Sequence, residues 1–215
     1  MTQDSPETAL LRRWSEQHAM LMALAIPGAL LDHSPFLVAA IAGGSFLGLI
    51  PKYRRCTPSG RFGAANAITL ARLVCALGLL LWPELPGAWA AGLAFAVLCA
   101  EGVDGWVARR SGSASEFGHW FDQEVDAFFF LALCVILYTQ GQFGGWVLLP
   151  GALRYLYVLF GKWRKPPCGN FRGNLFTRSI SVVAILAFIL NLLWPGAVGF
   201  WLAVAASVGL CGSFL

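Results

Sequence analysis

Charged side chains are scarce in this sequence. Asp, Glu, Lys and Arg make up 12% of 215 residues against 58% hydrophobic, and the mean hydropathy is +0.67. An ordinary water-soluble domain carries about 25% charge, so the composition excludes one and points to a chain folded in a bilayer. Histidine is nearly missing, with isolated residues at 18, 33 and 119 that read as structural. The six cysteines at 56, 75, 99, 134, 168 and 211 include no C-x-x-C pair and lie mostly in apolar runs, where a thiol serves as a small packing group. There is no internal repeat and no low-complexity linker.

What the chain does have is apolar length. Runs occur at roughly 18–31, 36–50, 66–82, 87–103, 126–139, 145–161, 179–194 and 197–211. Most approach the ~17 to 20 residues a helix needs to cross hydrocarbon. The first two are short and are interrupted by Pro27 and by Asp32-His33-Ser34-Pro35, which suits a re-entrant or tilted hairpin. Residues 1–17 are polar and suit an amphipathic surface helix, since no small-residue cleavage pattern follows them. The expected fold class is therefore an all-α integral membrane protein. Residues 1–60 would hold the amphipathic segment and the apolar hairpin, and residues 61–215 a six-transmembrane-helix core.

The basic residues divide the turns into two sets. All fifteen lie in or near alternate connections: Arg12 and Arg13, Lys52 to Arg72, Arg109 and Arg110, and Arg154 to Arg178. Because Lys and Arg are retained on the cytoplasmic side, both termini are expected there, in a bacterial cytoplasmic (inner) membrane. The net charge of +4 is then a topology signal with some attraction to anionic lipid, and no nucleic-acid partner is expected. Nine tryptophans, mostly near span ends, suit an interfacial belt.

Against this scarcity of charge, four acids stand together. Glu101 and Asp104 are three residues apart, and Asp122 and Asp126 four apart, so each pair projects from one face of a helix. Both adjoin strongly apolar sequence. A charge in mid-span costs about 2.5 to 3.5 kcal/mol on insertion scales, less toward the interface. Four acids at this spacing are better explained by divalent metal than by pairing with Arg72, Arg109 or Arg110. An all-oxygen set suits Mg²⁺ or Mn²⁺ and argues against zinc. Gly105, Ala108 and Gly118 sit one turn from one another or from an acid. They leave room for a bulky polar ligand such as a nucleotide diphosphate, or for close helix packing.

Written out, the stretch is E-x2-D-G-x2-A-R-x8-G-x3-D-x3-D. It resembles the signature of the CDP-alcohol phosphatidyltransferase family (class I), D-x2-D-G-x2-A-R-x8-9-G-x3-D-x3-D, at seven of eight fixed positions. Asn66-x2-Thr69-x2-Arg72 is similar to the family's N-x2-T-x2-R, and the resemblance covers roughly residues 64–211. It implies that Glu101, Asp104, Asp122 and Asp126 hold two divalent ions, Mg²⁺ or Mn²⁺, on the diphosphate of a CDP-linked donor. Asp126 would also be the catalytic base. Asn66, Thr69, Asp104, Gly105, Ala108, Arg109, Ser115 and Gly118 would line the nucleotide pocket. The family also suggests a homodimer. One departure stands out: Glu101 occupies a position that is Asp in the family and carries its carboxylate one methylene further.

The activity implied is metal-dependent transfer of a phosphatidyl group from CDP-diacylglycerol to the hydroxyl of a small alcohol, releasing CMP, in phospholipid biosynthesis. The basic connection from Arg154 to Arg178 favours an acceptor that is itself a phosphate, such as glycerol phosphate or inositol phosphate. Arg154, inside its span and in need of an anion, is the first candidate for binding it, and Arg172 the second. A free alcohol (serine, choline), or transfer of a CDP-aminoalcohol to diacylglycerol, would need fewer cations. From other classes, an inactive CDP-lipid-binding protein is suggested by Glu101. A cation transporter would have no use for the glycines and arginine among the acids.

Overall fold

The computed structural model describes residues 5–57, 60–110, 115–163 and 175–213, apart from the side chains at 104, 108, 109, 162, 163, 175–178 and 213. Among these residues the fold is helical, with no strand. In chain order the α-helices are α1 (Pro6–Asp32), α2 (Phe36–Leu49), α3 (Tyr53–Cys56), α4 (Gly63–Leu81), α5 (Gly87–Arg110), α6 (Glu116–Thr139), α7 (Leu148–Trp163), α8 (Leu175–Leu193) and α9 (Ala197–Ser213). Among the described residues three segments are long and apolar enough to cross a membrane: Phe36–Cys56, Gly63–Leu81 and Gly87–Val107. Gly145–Gly161, Ser179–Leu193 and Ala197–Gly212 are shorter apolar helices.

Helix α6 is the centre of the fold. Every residue from Phe128 to Tyr138 is buried, as a helix apolar on all sides requires, and α4, α7, α8 and α1 pack around it. Its start is set locally: Ser115 is extended (φ −141°, ψ 156°), and its Oγ accepts a hydrogen bond from the Gly118 N–H at 3.1 Å. Such a cap satisfies one of the free donors of the first turn. Helices α6 and α7 approach closely at Gly151, where an added Cβ would lie 3.1 Å from the Leu131 Cα. Around this post α4 also packs on α5, α5 on α8, and α8 on α9.

The N-terminal segment differs from the sequence expectation. A polar surface helix over 1–17 and a separate apolar run were expected; instead Pro6–Asp32 is one 27-residue helix that carries Pro27 within it. Ser5 caps its start, with Oγ accepting from the Thr8 N–H at 3.2 Å, and Pro6 falls in the first turn, where a missing N–H costs nothing. The helix ends at the expected turn, where His33 takes the left-handed conformation (φ 49°). Leu11, Ser15, His18, Met22, Ala25 and Ala29 are buried, one stripe at helical spacing. Helix α1 packs on α2, α7 and α6.

Candidate active site

The site forms where the first turns of α6 meet α4, α5, α7 and α8. His119, Asp122, Gln123, Asp126, Ala127 and Phe130 line one side of a cavity of about 510 Å³, the i, i+3, i+4, i+7 stripe of a single helix face. Glu101 of α5, Arg154 of α7 and Ser181 of α8 complete its polar wall. Pro150, Leu153, Ile185 and Leu210 supply apolar surface. A volume with one acidic side and one apolar side suits a ligand that is part headgroup and part lipid.

Three of the four expected acids therefore face one space. Helix α5 carries Asp104 three residues beyond Glu101, but its side chain lies outside the described residues, as do those of Ala108 and Arg109. Between Asp122 and Asp126 sits Arg72, which the expected site had left aside. Its Nη1 meets Asp122 Oδ1 at 2.7 Å, and its Nη2 pairs with Asp126 Oδ1. Arg72 is buried at 2% exposure while the two carboxylates keep 38% and 36% of theirs. The guanidinium thus braces the acids from behind and leaves them facing the cavity. Its sequence signal was present, as the last position of Asn66-x2-Thr69-x2-Arg72.

Among the described residues no three His, Cys, Asp or Glu side chains are gathered tightly enough to cage an ion alone. The chemistry of the donors nonetheless fits a hard divalent cation. Glu101, Asp122 and Asp126 bring carboxylate oxygens to the same cavity, and the pairs to Arg72 run through Oδ1 of each aspartate. Mg²⁺ ordinarily takes one or two carboxylates and completes its shell with water or phosphate oxygens. Glu101, Asp122 and Asp126 are carboxylates of that kind on one cavity wall.

Residues expected to hold the nucleotide meet at the junction of α4 and α6. A Cβ on Gly118 would stand 2.9 Å from Asn66 Oδ1 and 3.2 Å from Ser115 Oγ, so a side chain here would have to displace the Asn66 amide. Asn66 and Thr69 are buried and donate to the Phe62 and Ala65 carbonyls of their own helix. Gly105 is half-buried on α5.

On the acceptor side, Arg154 lines the cavity, but the argument from its need for an anion is answered inside the protein. Its Nη2 donates to Glu124 Oε1 at 2.8 Å, a carboxylate the sequence reading did not single out. Arg172 lies outside the described residues. His119, expected to be structural only, is on the cavity wall; its place three residues before Asp122 was the signal. His18 and His33 do have structural surroundings: His18 stacks on Trp14 and pairs with Ser45 Oγ, and His33 stacks on Tyr138.

A model of the CDP-alcohol phosphatidyltransferase family matches residues 62–209. The CDP-diacylglycerol--glycerol-3-phosphate 3-phosphatidyltransferase of Salmonella choleraesuis (strain SC-B67) is 29% identical over 96 residues, 43% of this chain and 52% of that protein. The chain thus spans about half the length of this curated relative. No solved structure matches it.

Proposed function

The chain belongs to the CDP-alcohol phosphatidyltransferase family, and on that premise we propose that it transfers a phosphatidyl group from CDP-diacylglycerol to the hydroxyl of a small alcohol, releasing CMP. The observation that carries the reading is Glu101, Asp122 and Asp126 on one cavity wall, with Arg72 behind the two aspartates.

The reaction joins the acceptor oxygen to the lipid-bearing phosphorus as the bond from that phosphorus to the CMP oxygen breaks. Asp126 takes the acceptor's proton, a role that needs a carboxylate within reach of the hydroxyl. Arg72 fixes Asp122 and Asp126 side by side, so their geometry precedes substrate binding. Glu101, Asp104, Asp122 and Asp126 would hold two ions, Mg²⁺ or Mn²⁺. When bound, such ions neutralise diphosphate charge and stabilise the leaving group. Asn66, Thr69, Gly105, Ala108, Arg109, Ser115 and Gly118 form the nucleotide side, with Gly118 leaving room for the Asn66 amide beside it.

We assign the acceptor as a polyol phosphate, glycerol phosphate before inositol phosphate. Support comes from Arg154 on the cavity wall, from the basic segment that contains Arg172, and from the relative whose name specifies glycerol 3-phosphate. In the bilayer, α4 to α9 form a six-span unit over residues 61–215. Residues 1–60 join it as an N-terminal element, both termini face the cytoplasm at the inner membrane, and two copies form a homodimer. Glu101 favours one other reading, an inactive protein that binds CDP-lipid.

The test is purified protein in detergent with Mg²⁺ or Mn²⁺, CDP-diacylglycerol and a panel of phosphorylated and free alcohols, with CMP followed over time. Metal-dependent CMP release with glycerol phosphate is the expected result. Binding of CDP-diacylglycerol without CMP release from any acceptor would leave the inactive reading standing and remove the transferase.

A further inference from the structure

A line of polar contacts begins on α1, outside the family-matched residues, and ends in the cavity. Ser15 is buried, and its Oγ donates to Glu124 Oε1 at 2.5 Å. The same oxygen accepts from Arg154 Nη2 at 2.8 Å. Glu124 is fully buried, so no ligand in the cavity meets it directly. Arg154 retains 20% of its side-chain exposure and lines the cavity.

Ser15 is held firmly enough to act at a distance. One residue before it, Trp14 Nε1 donates to the Ser45 carbonyl at 3.0 Å. Three residues after it, His18 Nδ1 pairs with Ser45 Oγ at 2.9 Å. His18 also meets Tyr155, the neighbour of Arg154, edge-on with ring centroids 5.7 Å apart. Helix α1 is therefore tied to α2, α6 and α7 within a single turn.

Two donors on one carboxylate oxygen fix that carboxylate, and the fixed carboxylate fixes the guanidinium. An arginine left to itself loses much rotamer freedom when it captures an anion. Here that ordering precedes binding. The guanidinium carries five N–H donors, and Glu124 engages it through Nη2, so donors remain for a ligand.

We infer that Ser15 and Glu124 are positioning residues for Arg154, and that the N-terminal helix thereby sets the affinity of the cavity for an anionic alcohol phosphate. The inference rests on the transferase reading above. It extends the acceptor site to a part of the chain that residues 62–209 do not include.

The experiment is two-substrate kinetics with sn-glycerol 3-phosphate and CDP-diacylglycerol on the full chain. Ser15→Ala should raise the acceptor KM about threefold, and Glu124→Ala about tenfold or more, as expected for lost hydrogen bonds to charged groups. The KM for CDP-diacylglycerol should stay within about twofold in both. Glu124→Gln keeps an oxygen for both donors and should recover most of the loss. A merely structural role would move both KM values together or neither, and either result overturns the inference. So does turnover confined to free alcohols. Should Glu124→Ala fail to fold, Ser15→Ala decides alone. A wild type that releases no CMP with any acceptor removes the transferase reading; direct binding of sn-glycerol 3-phosphate then decides the coupling. Weaker binding by Ser15→Ala supports it, and equal or absent binding overturns it.

Discussion

Within five residues, α6 carries two acid–arginine clusters of opposite design. Asp122 and Asp126 share Arg72, which is almost wholly buried while they keep more than a third of their exposure. Glu124 lies between them in sequence and on the other side of the helix, 1% exposed, and pairs with the more exposed Arg154. In the first cluster the acids face the cavity and the cation sits behind; in the second the order is reversed. In the first, Glu101 lines the same cavity as the two aspartates. In the second one acid balances one base. Partly solvated carboxylates on a cavity wall can meet a ligand, whereas a balanced buried pair costs more to break than it contributes when intact. Both clusters lie within two turns, so what separates them is the side of the helix and not its depth in the fold.

The contrast can be broken in order of expected effect. Chelation with EDTA should bring CMP release to background, and Mg²⁺ or Mn²⁺ should restore it. Asp126→Asn should lower turnover by about 10²- to 10⁴-fold, with CDP-diacylglycerol binding kept and the thermal midpoint little changed. Equal damage to folding would mean that the cavity acids are structural after all. Arg72→Met removes a buried cation from between two acids and should cost about 3 kcal/mol or more. Added Mg²⁺ should raise the melting temperature of that variant more than that of the wild type, because metal takes over the neutralisation.

On the balanced side, Glu124→Ala should lose about 3 kcal/mol by leaving Arg154 without its carboxylate. Its melting temperature should answer to Mg²⁺ no more than the wild type does. A strong metal response there would erase the distinction. Gly118→Ala should be milder, about 1 to 3 kcal/mol from overpacking, since the new Cβ meets Asn66 Oδ1 at 2.9 Å. Its KM for CDP-diacylglycerol should rise if that junction forms the nucleotide side. Thr8→Ala removes an exposed hydrogen bond to Glu116 and should change stability by about 0.5 kcal/mol or less.

Sequence reading reached the local features of this molecule and missed the distant ones, for reasons visible at particular residues. The turn at Asp32–Pro35 and the apolar runs of α4 to α9 are written in neighbouring residues, and the structure has them close to where they were expected. So is the four-residue spacing of Asp122 and Asp126, which put the two on one face of a helix, and both line the cavity. Pro27 misled, because a proline reads locally as an interruption while packing of α1 on α2, α6 and α7 carries the helix through it. Arg72 could be read as a motif residue but not as the brace of two acids fifty and fifty-four positions away. Ser15 and Glu124 are separated by 109 positions, and Ser15 on its own is an unremarkable polar residue in a half-polar stretch. Glu124 lay inside the motif among its variable positions, where the eye passes over it.

The unbroken burial of α6 from Phe128 to Tyr138 bears on how this protein lives in lipid. A helix sheathed by its own neighbours over three turns touches no acyl chains there, so bilayer thickness and fluidity act on it only through those neighbours. The acids ahead of that stretch open to the cavity, but the buried Arg72 that pairs with both ties their spacing to protein and not to the lipids the surrounding helices happen to meet.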